Sequence, residues 1–171
     1  MSIQIVILGL LKSNDQHPYE IKKMIKENKW DQFFDMTDGN LYYSIESLKK
    51  KNYIQSIKTE KVEKRPNRTI YSITSEGHNH LINLIYEVFE TQKMDGRSLY
   101  PALLFVDYVN LDKVSELITS WIVNLERVLD DNPPSGSELA AAIHSHYYGM
   151  LNFHLKWLKN VQDIIRERIS D

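Results

Sequence analysis

Apolar positions open the chain as a dense run, Ile3, Ile5, Val6, Leu8, Leu10 and Leu11, whose spacing alone fits strand or helix. We read it as a short, well-buried helix. Asn14 to His17 is turn-like, and Pro18 suits the first turn of a second helix, where a missing N–H is no loss. That helix carries Ile21, Met24 and Ile25 on one face and Lys22, Lys23, Lys26 and Glu27 on the other, and is predicted to end near Trp30. Met36-Thr37-Asp38-Gly39 reads as a turn. A third helix, Asn40 to Lys51, follows, with Leu41, Ile45 and Leu48 on a single stripe. Opposite the stripe lie Tyr43, Glu46, Ser47 and Lys50; Tyr42 and Lys49 flank it on one side, Asn40 and Ser44 on the other. Residues 53–57 and 69–73 are short and β-prone around a polar tract with Pro66 and Asn67, which predicts a hairpin. Thr74 is placed to cap a fourth helix bearing Leu81, Ile82, Ile85, Val88 and Phe89.

The pattern breaks at Met94 to Pro101, where Asp95-Gly96-Arg97-Ser98 predicts a boundary between a domain at 1–92 and another at 98–171. Everything beyond is predicted helical: Leu99 to Val109, then Leu111 to Leu129, stopped by Asn132-Pro133-Pro134. Ser135 and Glu138 have capping-box spacing before a last helix from about Ser137 to Ile169. At 1.5 Å per residue that helix is about 45 Å long, more than a half-chain of this size needs for its own core. A second subunit is the expected partner, and Ile143, Tyr147, Leu151, Trp157, Leu158, Val161 and Ile165 are the candidate dimer interface. The fold expected is mainly α with a small β-hairpin: an N-terminal winged helix-turn-helix and a C-terminal helical dimerisation domain.

Charge changes the picture locally. The chain as a whole is at −2, but residues 49–68 hold eight basic side chains (Lys49, Lys50, Lys51, Lys58, Lys61, Lys64, Arg65, Arg68) against Glu60 and Glu63. A basic tract on a hairpin next to a helix-turn-helix is the electrostatic footprint of a phosphate-binding surface, although lysine-rich runs are more often plain solvated faces. With no cysteine, a disulfide framework, thiolate ligation and a thiol nucleophile are all ruled out. His144, His146 and His154 lack the spacing that brings metal ligands together, so neither a metal nor another cofactor is expected. No phosphate loop, nucleophile triad or carboxylate pair supports an enzyme. The N-terminus has no basic flank or cleavage site, and no stretch approaches a membrane span, so a cytoplasmic chain is expected.

Five separated pieces then occur in order: Ile7-Leu8-Gly9-Leu10-Leu11; His17-Pro18-Tyr19-Glu20-Ile21; Gly39-Asn40-Leu41-Tyr42 with Leu48 and Tyr53-Ile54 following; Tyr71-Ser72-Ile73-Thr74; and Gly77. Together they resemble the N-terminal domain of the PadR family of bacterial transcriptional regulators. Pro18 stands where that family usually has glycine, and Tyr43 where it usually has proline. The second half, ending in His154-Leu155-Lys156-Trp157-Leu158, is similar to the longer helical domain of the subgroup containing virulence-gene activators. The resemblance implies a homodimer with intertwined C-terminal helices, two winged helices on a partly palindromic operator in double-stranded DNA, and often an effector pocket near the dimer interface.

On this reading Asn40, Tyr43, Ser44 and Ser47 meet base edges or sugar-phosphate, with Asn suited to adenine. Tyr42 hydrogen-bonds the DNA backbone, and Tyr19 and Lys50 join the same surface. Lys61, Lys64, Arg65 and Arg68 of the wing neutralise phosphate or enter the minor groove. Against this stands the simpler packing of Tyr42 or Tyr43 on the hairpin. Trp121, Tyr147, Tyr148, Phe153 and Trp157 line either a site for a small aromatic or hydrophobic effector or, more commonly, core and interface. The leading function is a sequence-specific DNA-binding regulator acting as a repressor; the runner-up is a winged-helix protein-interaction module without DNA binding.

Overall fold

The opening apolar run is helix α1 (Ser2–Ser13), and it has little amphipathic pattern because it is enclosed on nearly every side. Ile5, Val6, Ile7, Leu8, Leu10 and Leu11 are all buried. The structure, a computed structural model, describes residues 2–33, 36–60, 68–131 and 136–170. After α1 come α2 (Pro18–Glu27), a 3-10 turn at Trp30–Gln32, α3 (Asp38–Lys50), strands β1 (Ile54–Glu60) and β2 (Arg68–Ile73), and α4 (Ser75–Glu90). Then follow α5 (Gly96–Leu104), a 3-10 turn at Val106–Tyr108, α6 (Leu111–Asp130) and α7 (Glu138–Ser170). This is a winged helix followed by a helical region. Among the described residues no helix is long and apolar enough to cross a membrane.

Two compact units divide after Val109: Met1–Val109 and Asn110–Asp171. The division expected at 93–97 is therefore corrected. Asp95-Gly96-Arg97-Ser98 is the N-terminal cap of α5, with Asp95 Oδ1 accepting the Arg97 amide at 3.1 Å, and is no linker. Leu99, Ala102, Phe105 and Val106 are buried in the first unit, where α5 packs on α1 and α4. Gly9 makes that packing close: a Cβ there would collide with the Phe105 ring.

In the first unit α1 also packs on α3 and β2, and α4 contributes Leu81, Leu84, Ile85, Val88 and Phe89 to the core. The hairpin is antiparallel, pairing Ile54 with Ile73 and Glu60 with Arg68, with an irregularity between Ser56 and Lys58. Gln16 adds an isolated bridge to Tyr71, donating at 3.1 Å and accepting at 3.0 Å, and so ties the α1–α2 turn to the sheet. Asn52, at φ 58°, turns the chain from α3 into β1; asparagine tolerates this left-handed region better than most residues. Thr74 caps α4 as expected, its Oγ1 accepting the Gly77 amide at 3.0 Å.

The second unit is an antiparallel helix pair. Thr119 meets Gln162 (2.6 Å), Glu126 meets Lys159 (2.6 Å), and the Asp131 carbonyl accepts from the Tyr148 hydroxyl (3.2 Å). Val114, Ile118, Trp121, Ile122 and Leu125 of α6 form a buried stripe opposite Leu151, Leu158, Val161 and Ile165 of α7. His154 packs between Trp121, with ring centroids 5.0 Å apart, and Trp157, at 5.5 Å. Burial lowers its pKa. Ser137 Oγ accepts the Ala140 amide at 3.3 Å where α7 begins; Ser135, the cap expected from sequence, lies outside the described residues.

Candidate nucleic-acid interface

Two capping boxes fix the helix-turn-helix. At the start of α2 the Tyr19 amide donates to His17 Nδ1 at 3.1 Å, and the His17 amide donates to Glu20 Oε2 at 2.9 Å. An imidazole can accept at Nδ1 only when that nitrogen is unprotonated. The surroundings favour this: burial first, and then the Arg68 guanidinium, push the His17 pKa down, with Glu20 opposing. At the start of α3 the Asn40 amide donates to Thr37 Oγ1 at 3.2 Å, and Asn40 Oδ1 accepts the Thr37 amide at 2.8 Å. Lys22 links the helices by its ammonium, 2.7 Å from Asp38 Oδ2 and 2.5 Å from Oδ1. Asp38 sits in the first turn of α3, where the helix dipole also favours a carboxylate.

The capping box starts α3 two residues earlier than the sequence predicts and changes the role of Asn40. A bidentate contact to adenine needs both amide atoms of asparagine, and here Oδ1 is engaged with Thr37. The expected base contact by Asn40 is corrected to a capping role. Ser44 is corrected too. It is 6% exposed, because it lies about 60° from Leu41 and 40° from Leu48 around the helix and falls on the inward side.

The rest of the helix turns outward as expected. Leu41, Ile45 and Leu48 are buried, whereas Tyr42 and Lys50 are exposed and Tyr43 is 77% exposed. Tyr43, Glu46, Ser47, Lys50 and Lys51 line a shallow, open groove on this face. Tyr19 is exposed at the start of α2. Lys61, Lys64 and Arg65 lie outside the described residues. Arg68, expected on phosphate, pairs with Glu20 Oε1, which joins the base of the wing to α2. No local pattern in the sequence marks this pair, because the two residues are 48 positions apart and only the hairpin's return brings them together.

The predicted dimer interface divides in two. Leu151, Leu158, Val161 and Ile165 are buried against α6 of their own chain, so that part is corrected: the α6 stripe already covers them. Ile143 and Tyr147 are exposed, and Trp157 is partly buried. Leu139, Met150, Phe153 and Ile164 are also exposed on α7 and were not in the predicted set. Their near-heptad spacing marks a second stripe, beside the one that packs on α6.

Residues 7–83 match the sequence profile of the transcriptional regulator PadR-like family. A transcriptional regulator from Clostridium thermocellum is 31% identical over 52% of this chain and 84% of its own, at a TM-score of 0.43. The chain belongs to the PadR-like family. A PadR family regulator from hypervirulent Clostridium difficile R20291 is 27% identical, covering 52% of this chain and 88% of its own, with a TM-score of 0.42. Bacillus subtilis PadR in complex with operator DNA is 17% identical, covers 96% of this PadR-like chain and 99% of its own, and has a TM-score of 0.43. No curated protein matches the chain. The PadR-like assignment makes this protein a transcriptional regulator.

Proposed function

We propose that the protein is a sequence-specific repressor that binds a partly palindromic operator as a homodimer. The observation carrying this reading is the outer face of α3, where Tyr43 stands 77% exposed beside Ser47 and Lys50 while the inner stripe is buried. A large aromatic side chain held in water on a capped helix whose inner stripe is buried is preorganised for a partner and contributes little to its own fold. In a duplex major groove that face meets base edges and sugar-phosphate together. Tyr42 and Lys50 on α3 and Tyr19 at the start of α2 join this reading, and Lys61, Lys64 and Arg65, between β1 and β2 in the sequence, supply phosphate contacts.

Dimerisation through the exposed α7 stripe, Leu139, Ile143, Tyr147, Met150 and Phe153, supplies one recognition helix to each half-site, and half-sites on successive duplex turns lie roughly 34 Å apart. A small aromatic or hydrophobic effector acting among these side chains shifts assembly, and with it operator affinity. The test is fluorescence anisotropy with duplex from the region upstream of its own gene against a scrambled duplex, from 50 to 200 mM salt, combined with transcription from the same region in vitro. Tighter binding to the upstream duplex, a steep salt slope and lowered transcription are expected. Equal affinity for both duplexes refutes sequence-specific reading, and raised transcription refutes repression.

A further inference from the structure

Two carboxylates, Glu20 and Glu46, stand on this largely cationic and aromatic surface, and the DNA reading alone gives the charge of Glu20 no purpose. Glu20 uses both oxygens, Oε2 for the His17 amide at 2.9 Å and Oε1 for the Arg68 guanidinium. The cap requires an acceptor and no charge, since glutamine serves as well as glutamate in a capping box. The pair contributes little to folding either: its side chains are 44% exposed at Arg68 and 40% at Glu20, where water screens an ion pair. What the charge does do is neutralise a cation at the foot of the wing.

We propose that Glu20 is a specificity-determining residue, which holds Arg68 in an internal ion pair and withholds it from DNA phosphate. The proposal rests on the DNA-binding reading above. Sequence-independent affinity comes almost entirely from cations that displace counterions at phosphates, whereas discrimination comes from base contacts. Removing one cation from phosphate weakens binding to every sequence alike, and this matters most on non-cognate duplex, where base contacts add nothing. An Arg68 that reaches phosphate either leaves Glu20 as an unpaired carboxylate facing the same polyanion or carries that carboxylate beside the phosphate, and both cost affinity. The ion pair therefore opposes non-specific retention while leaving the outer face of α3 untouched.

The experiment compares the full-length wild type, Glu20→Gln and the double variant Glu20→Gln with Arg68→Gln by anisotropy on upstream and scrambled duplexes from 50 to 200 mM salt. Glu20→Gln keeps the cap acceptor and frees Arg68. Its binding to scrambled duplex is expected to be tighter than wild type, with the slope of log affinity against log salt steeper by about 0.9. Its advantage then shrinks about 3.5-fold between 50 and 200 mM, and its preference for the upstream duplex narrows. The double variant has the net charge of the wild type and should return to the wild-type slope. An unchanged slope in Glu20→Gln, weaker binding by it, or the same gain in the double variant overturns the proposal. The double variant also decides alone: a slope about 0.9 shallower than wild type means that Arg68 already contacts phosphate in the native protein. Wild-type protein that binds neither duplex removes the DNA reading itself, and the proposal with it.

Discussion

Replacing Phe153 by alanine tests the dimer directly, because this side chain is 74% exposed on α7 and packs on nothing that would explain an aromatic residue there. Fully burying a phenylalanine side chain is worth about 1.5–3 kcal/mol, and three-quarters of that area is still available, so each copy contributes roughly 1–2 kcal/mol when a partner covers it. A two-fold axis counts every residue twice, which makes the loss about 2–4 kcal/mol per dimer, or roughly a 30- to 1,000-fold rise in the dimer dissociation constant. Sedimentation equilibrium across nanomolar to micromolar protein measures it. Thermal unfolding of the monomer should barely move, since no core contact is lost. Leu158→Ala is the opposite control: Leu158 is 0% exposed against α6, and its truncation should cost about 2–5 kcal/mol of folding stability. Intact protein that is monomeric at micromolar concentration, or a Phe153→Ala variant with unchanged dimer affinity, refutes this argument.

Tyr43→Ala should lose about 1–3 kcal/mol on the upstream duplex and far less on a scrambled one, as anisotropy will show; equal losses on both argue against base readout. Lys64→Ala combined with Arg65→Ala should weaken binding to all duplexes and flatten the salt slope by about two phosphate contacts, and an unchanged slope removes the wing from the interface. His17 links stability to pH. Its folded pKa lies below the unfolded value of about 6.5, so its contribution is complete above that value and is lost as pH falls through the folded pKa. His17→Asn keeps a cap acceptor without the titration, so the melting temperature of the wild type should fall more steeply below about pH 6.5 than that of the variant. His80 and His154, which burial shifts in the same direction, remain in both proteins and cancel in the comparison; parallel profiles refute the capping argument.

Local signals in the sequence were sufficient wherever one segment determined its own structure. Pro18 at the start of α2, Thr74 as a cap, and the Leu41, Ile45 and Leu48 stripe each act within one or two turns and were legible before any packing was known. What escaped depended on distant partners. The sequence shows that Leu151, Leu158, Val161 and Ile165 must be covered, but not whether α6 or a second subunit covers them. Asp95-Gly96 has the composition of a linker and the function of a cap, and only the burial of Phe105 beside Gly9 shows that α5 belongs with the helices before it. Ser44 was misplaced because a small polar side chain on the edge of a stripe carries no hydrophobic signal. At the candidate DNA-facing surface, the residues on the outer half of α3 were legible from periodicity, whereas the engagement of Asn40 and Arg68 within the fold was not.

The unequal lengths of the last two helices also bear on how the chain acquires its helicity. The end of α6 lies opposite Tyr148, whose hydroxyl donates to the Asp131 carbonyl, and no side chain from Leu139 to Tyr147 is buried, so roughly the first ten residues of α7 have little tertiary support from α6. A helix of that length is marginal in water, because nucleation is costly and too few residues propagate it. The Ser137 cap and continuity with the packed turns that follow hold it, and it should fray from its N-terminal end. Amide exchange will then be fast before Tyr148 and slow after Leu151 in dilute solution, and on the dimer reading the boundary will move toward Leu139 as protein concentration rises. Far-ultraviolet ellipticity per residue should rise with it. In the dimer proposed above, association and the final turns of helix formation are expected to be one cooperative transition.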